Sequence, residues 1–173
     1  MQPPDALVEI APYDFSWPRR FADEALLLHD VLRPWLAGRI EHIGSTAVPG
    51  LAAKPVIDIM AAVENLETSR AAIAALALAG YCYAPYRAGT EHWFCKPSPS
   101  IRTHHLHLVP ASSPRWVEAI AFRDYLRTHP NTASEYADLK CRLGKQHRHD
   151  REAYTAAKQP FIERITALAV REG

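Results

Sequence analysis

Apolar residues recur at three- and four-residue intervals from Trp17 through Phe21, Ala25, Leu28 and Leu32, the stripe of a helix with one buried side. Ser16 stands where an N-cap belongs, Pro18 is tolerated in the first turn, and Pro34 ends the run. The period then shortens. Residues 39–43 predict a short strand, and residues 56–63 are apolar apart from Asp58 and Pro-flanked, as in a strand buried on both faces. A Gly/Pro-punctuated loop, GSTAVPGLAAKP, separates the two. Asn65 caps a second predicted helix with the stripe Leu66, Ile73, Leu76 and Ala77, and Gly80 sits at its C-terminal stop. Residues 81–86, 91–96 and 102–109 predict three strands divided by Gly, Pro and Ser turns.

From Pro114 onward the pattern is helical. Trp116, Ile120 and Tyr125 mark one helix, Asn131 or Thr132 with Glu135 caps the next, and residues 154–170 give the last, bent or restarted at Pro160. No repeat is visible. The order predicts an α+β fold: a leader over residues 1–15, a mixed-sheet core over 16–110, and a C-terminal helical extension over 111–173 packing on that core as one compact unit. The leader's apolar stretch, residues 6–11, is expected along the surface or at a sheet edge.

Composition narrows the function classes. The 173 residues carry 20 Lys plus Arg against 19 Asp plus Glu, so no global field draws the chain to nucleic acid. Cys82, Cys95 and Cys141 lie far apart without a CxxC spacing, which excludes a thiolate zinc site and suits a reducing compartment. The first residues lack a basic, then apolar, signal pattern, and the longest Ala/Leu run is too short for a bilayer. The expected location is the cytoplasm, away from any membrane.

Three features carry candidate chemistry. Gly44 lets a loop backbone approach a ligand, Ser45 and Thr46 add hydroxyl donors, and Lys54 places a cation at the far end of that loop, although the spacing is no P-loop. Taken alone, Gly-Ser-Thr also describes an ordinary polar turn. Asp58, amid Val-Ile-Asp-Ile-Met, is costly to bury without a partner, and alternation sets it on one face with Val56 and Met60. On the last strand His105 and His107 share a face, where two imidazoles could join Asp58 around a divalent metal or donate to a phosphate; satisfied histidines are the plainer alternative. Lys96 beside aromatics is a candidate anion holder. The basic stretch of Lys140, Arg142, Lys145, His147, Arg148, His149 and Arg151 reads as a solvated face or as a phosphate-binding wall opposite the Gly-Ser loop.

The run HIGSTAVPGLAAKPVIDI from His42, with Gly80-Tyr81, His105-Leu-His107, FRDYLRTHP from Phe122, YADLK from Tyr136 and DREAYTAAK from Asp150, resembles the bacterial GrpB family. The resemblance implies a nucleotidyltransferase-like mixed sheet with flanking helices, the fold of polymerase β and the CCA-adding enzymes; GrpB-like domains also occur fused to dephospho-coenzyme A kinase. It implies a metal-dependent nucleotidyltransferase or phosphotransferase acting on a nucleotide or phosphorylated small molecule, with a non-catalytic binding or docking module as the alternative. Gly44, Ser45, Thr46, Lys54, Lys96 and Lys140 would hold phosphates, and Asp58, His105 and His107 would be catalytic and hold Mg, Mn or Zn. The chain departs from the fold's D-x-D acid pair, because Met60 or Val56 occupies the partner position and histidines replace a third acid. That donor set is poor for two magnesium ions.

Overall fold

A computed structural model describes residues 7–172, so the first six residues of the predicted leader lie outside the described residues. The elements run α1 (Trp17–Leu32), β1 (Leu36–Ile43), β2 (Ile57–Val63), α2 (Ala72–Leu78), β3 (Cys82–Ala84), β4 (His92–Pro97), β5 (Arg102–Pro110), α3 (Pro114–Thr128), α4 (Pro130–Gln146) and α5 (Arg151–Glu172). Five strands form one mixed sheet in the order β1-β2-β5-β4-β3. Only β2 and β5 are parallel; the other neighbours are antiparallel. This is the α+β architecture that the hydrophobic periods predict.

Each sheet face has its own cover. Ile57, Ile59, Ala61, Phe94, Leu106 and Leu108 point to one side, where they pack with Trp17, Leu28 and Leu32 of α1 and Leu76 of α2. Full burial of such side chains contributes roughly 2 kcal/mol each, so this layer dominates the stability. On the opposite face Met60 and Val109 pack against Ala119 and Trp116 of α3. The helical extension meets the core through Phe122, Leu126, Tyr136 and Ile165, which enclose Val48 and Leu51 of the loop after β1. That contact positions the site.

Several boundaries differ from the sequence pattern for identifiable reasons. β1 begins at Leu36 rather than residue 39, because a register shift between Leu36 and Ile40 admits Gly38, whose added Cβ would sit 3.1 Å from Ala62 Cβ. Asn65 does cap, through Thr68 N–H to its Oδ1 at 2.8 Å, but it caps a short 3-10 turn that precedes α2. α4 starts at Pro130, whose missing N–H costs nothing in a first turn, so Asn131 and Thr132 already lie inside it. α5 runs through Pro160 as one helix while Phe161, Ile162 and Ile165 pack against the extension's core. Of the leader, Ala11 pairs with Ala53 in an isolated antiparallel bridge and Val8 N–H bonds to Arg148 C=O at 2.9 Å, so this segment straps the loop and the tail together. Among the described residues no helix is long and apolar enough to cross a membrane.

Candidate functional site

β1 ends at Ile43, and the chain turns at Gly44 with φ +70°, a left-handed conformation that glycine adopts without strain. The turn lays the loop directly on Asp58, because a Cβ at Gly44 would lie 2.7 Å from Asp58 Oδ2. Ser45, Thr46 and Ala47 form a 3-10 turn. Thr46 is buried, its Oγ1 2.9 Å from His42 Nε2 and 3.3 Å from Val56 C=O, so it ties the two ends of the loop together. Ser45 remains half-exposed, with its side chain close to the Tyr136 hydroxyl of α4.

The extension fastens this loop from outside. Arg123 donates to His42 C=O at 2.9 Å and to Glu41 at 2.7 Å, and Arg127 Nε donates to Ala47 C=O at 3.0 Å. Lys140, buried on α4, donates from Nζ to Ala52 C=O. Three cations thus hold three stretches of loop backbone, and a loop held this way needs little reorganisation to receive a ligand.

Across the sheet, register pairs Asp58 with His105 and Met60 with His107. His105 Nδ1–H donates to Asp58 Oδ1 at 2.9 Å. Burial lowers the His105 pKa, so near neutrality the ring is uncharged and its Nε2 carries the free lone pair. That Nε2 is buried with no hydrogen-bond partner among the described residues. Burial alone would raise the Asp58 carboxyl, but the His105 hydrogen bond and the charges of His105, His107 and Lys54 outweigh it and hold the pKa at about 2.

Two lysines of the tail helices complete the surroundings. Burial, with Lys158 nearby, pushes Lys140 down to about 7, and burial, with Lys54 nearby, pushes Lys158 down to about 8; Asp58 opposes both shifts. Lys140 Nζ lies 4.6 Å above the Tyr136 ring and Lys158 Nζ 4.4 Å above the Tyr154 ring, with Lys54 Nζ 5.2 Å from Tyr154 as well. The charges of Lys54, Lys140 and Lys158 thus interact with Asp58 or with one another beside a glycine-serine turn.

The family model described as GrpB protein matches residues 7–168. The chain belongs to the GrpB family. A UPF0157 protein of Pseudomonas aeruginosa is 40% identical over 172 residues, covering 96% of this chain and 69% of that protein. The glutamate-rich protein GrpB of Alkalihalophilus pseudofirmus is 32% identical, covering 91% of this chain and 93% of that one. The crystal structure of the conserved protein GrpB from Enterococcus faecalis superposes with a TM-score of 0.87 at 32% identity, over 95% of this chain and 98% of that one. The fold is thus the nucleotidyltransferase-like one that the GrpB resemblance implies.

Not every residue singled out from the sequence of this GrpB chain lies near Asp58. Gly44, Ser45, Lys54, Asp58, His105 and Lys140 are brought together. Lys96 is not: it lies on the other sheet face, where it donates to Glu24 of α1 at 2.8 Å beside the Tyr81 hydroxyl. Thr46 spends its hydroxyl inside the loop. His107 shares a face with His105 but turns Nδ1 to Glu91 at 2.7 Å, so the two rings serve different carboxylates. Among the described residues no three His, Cys, Asp or Glu side chains gather as a metal site. Met60, at the place of a second acid, is fully buried in an apolar cluster. One carboxylate already bonded to an imidazole and faced by three lysines does not fit the two-magnesium centre of the fold.

Sequence reasoning missed Tyr136, Tyr154, Lys158, Arg123 and Arg127. A signal existed: Tyr136 with Lys140 and Tyr154 with Lys158 repeat one Tyr-x-x-x-Lys pair at the i,i+4 spacing that stacks side chains on a helix face. Of the basic stretch, Arg142, Lys145, Arg148 and His149 are exposed, as on a solvated face. The tight loop gives a first prediction. Gly44→Ala should lower stability by about 2 kcal/mol, from left-handed strain plus the clash with Asp58. It should also weaken the Asp58–His105 bond, read as faster exchange of the His105 Nδ1 proton by NMR; an unchanged proton signal would refute the loop's hold on Asp58.

Proposed function

We propose that this GrpB-family chain binds a phosphorylated small molecule, a nucleotide or phosphometabolite, between the loop after β1 and helices α4 and α5. The observation that carries this reading is the group of cations beside the Gly-Ser turn: Lys140 and Lys158 on α4 and α5 and Lys54 on the loop, whose charges all interact with Asp58 or with one another. Two of those lysines have pKa values lowered by crowding and burial, and an arriving phosphate would relieve both effects. Ser45 and the backbone at Gly44 supply donors at the same place.

The Asp58–His105 pair adds a means of moving a proton. Asp58 holds Nδ1–H, which fixes the tautomer and leaves Nε2 to accept a proton from a hydroxyl or water as its oxygen bonds to the phosphorus and the P–O bond to the departing phosphate or pyrophosphate breaks; the imidazolium that results is stabilised by Asp58 and returns its proton to that departing oxyanion. Such phosphoryl or nucleotidyl transfer requires no step through the metal pair that the donor set does not fit. A second reading, a binding module without turnover, is favoured by one observation: the apolar burial of Met60 where the fold otherwise keeps an acid.

Calorimetry with ATP, ADP and pyrophosphate tests the shared core of both readings. Saturable binding that survives EDTA is expected, with Lys158→Ala weakening it about tenfold through loss of one charge-assisted contact. The absence of saturable binding for all three compounds would sink the proposal. Phosphorus NMR of the same mixtures separates the two readings, since only transfer produces new phosphorus signals that vanish in His105→Gln.

A further inference from the structure

A second constellation lies further along the same sheet face. Glu91, just before β4 and 1% exposed, accepts from His107 Nδ1 at 2.7 Å. Arg115, in the first turn of α3, is the next cation: its Nε stands 3.9 Å from Glu91 Oε2, beyond hydrogen-bond reach. That Nε is shut off from water and has no hydrogen-bond acceptor among the described residues. A buried, unpaired donor on a charged group is a destabilising feature that folded proteins rarely keep without a use. Arg87 also acts on the Glu91 charge, from a turn in which it adopts φ +53° and its carbonyl accepts from Thr90 N–H at 2.8 Å and Glu91 N–H at 3.1 Å.

Both arginines line one cavity of about 660 Å³, together with Thr90, Ser113 and, on its exposed rim, Glu118. The volume lies within the range of small-molecule sites. Glu91 Oε2, the carboxylate oxygen paired with Arg115, already accepts from His107 and stands too far from Arg115 Nε to hydrogen-bond it. A guanidinium with idle donors matches the two oxygens of a carboxylate or phosphate.

We propose that this cavity is a second oxyanion subsite, in which Arg115 and Arg87 bind a phosphate or carboxylate group of a second ligand or of the far end of the first. His105 and His107 stand two residues apart on β5, about 7 Å at Cα, so the two subsites adjoin along one strand. A transferase needs such an arrangement for donor and acceptor. The subsite is built by Glu91, His107, Arg87 and Arg115 and stands whatever binds beside Asp58.

The test is NMR titration of the full chain with inorganic phosphate and, separately, succinate, observing arginine Nε–H signals. Saturable shifts of the Arg115 and Arg87 signals are expected with at least one probe, and the stronger probe reveals which oxyanion is preferred. Arg87→Ala, on an exposed turn that can lose its side chain safely, should weaken the Arg115 response about tenfold. Glu118→Gln should strengthen it, because a rim charge that repels the anion is removed; a purely structural Arg115 would not respond. Lys158→Ala should leave it unchanged, which separates this subsite from the Asp58 cleft. No saturable shift with either probe, a response indifferent to Arg87→Ala, or one lost in Lys158→Ala would each overturn the proposal.

Discussion

Asp58→Asn should unfold more readily than the parent at pH 7 yet bind phosphate compounds more tightly. The stability loss follows from linkage. The folded carboxyl titrates at about 2 against an ordinary 3.8, so its ionised form is worth about 2 kcal/mol to the fold wherever the unfolded chain is also ionised. This contribution is complete above pH 4 and disappears as pH falls towards 2, so the deficit of the Asn variant should shrink over the same interval. Urea unfolding at pH 7, 4 and 3 measures it. A deficit that stays constant down to pH 3 would mean that shape, not charge, is what Asp58 supplies.

The binding gain has a separate cause. The charge of Asp58 acts on Lys54, Lys140 and Lys158, and removing it lets these lysines act on an incoming phosphate, an increase of roughly tenfold at low salt. Any transfer reaction should move the other way. An Asn at position 58 no longer fixes the His105 tautomer, and loss of an oriented base costs about 10²- to 10⁴-fold in rate. Tighter binding with slower turnover is the signature of a proton-transfer pair inside an anion site. Weaker binding of pyrophosphate in Asp58→Asn would contradict that arrangement.

Much of the architecture was legible because period and burial coincide. The 3.6-residue stripe of α1 and the apolar run of β2, interrupted only by Asp58, each encode how many faces are covered, and the structure covers one and two respectively. Asp58 was legible for the same reason, since a lone carboxylate in such a run demands a partner. Its partner was half-legible. Strand alternation put His105 and His107 on one face, but sequence cannot show that Glu91 takes one ring and Asp58 the other, because that choice depends on the β4–β5 register. Lys96 was misplaced by the same missing information: alternation relates it to Phe94 and His92, yet does not say which sheet face looks at Asp58. Lys158 escaped because a lysine in an exposed-looking helix is usually solvated, and only the packing of α5 carries it inward. The repeated Tyr-x-x-x-Lys pairs were the readable hint, since a lysine stacked on a ring one turn away has its stem committed to that ring.

Lys140→Met should make the protein more stable at pH 6 and flatten its dependence on pH in the alkaline range. Lys140 is 2% exposed, and burial brings its ammonium to about 7 from an ordinary 10.5. Between those values the unfolded chain holds a proton that the folded chain has released, so the parent gains stability as pH rises from 7 to 10.5 and suffers the full penalty below 7. Methionine fills a similar volume without charge. Its net gain at pH 6 should be about 2–4 kcal/mol, the relieved charge burial less the lost hydrogen bond to Ala52 C=O. Thermal melts of both proteins from pH 6 to 10 would show converging curves. The same lysine explains a cost retained for function, because a phosphate drawn into the cleft restores the charge that burial removes. Pyrophosphate binding at pH 8 should therefore take up protons on Lys140 and Lys158, seen as a binding enthalpy that changes with the ionisation enthalpy of the buffer. In Lys140→Met the uptake should fall and the affinity drop about tenfold. Parallel melting curves, or binding without proton uptake in the parent, would show that Lys140 is a structural clamp on the loop and not part of the anion site.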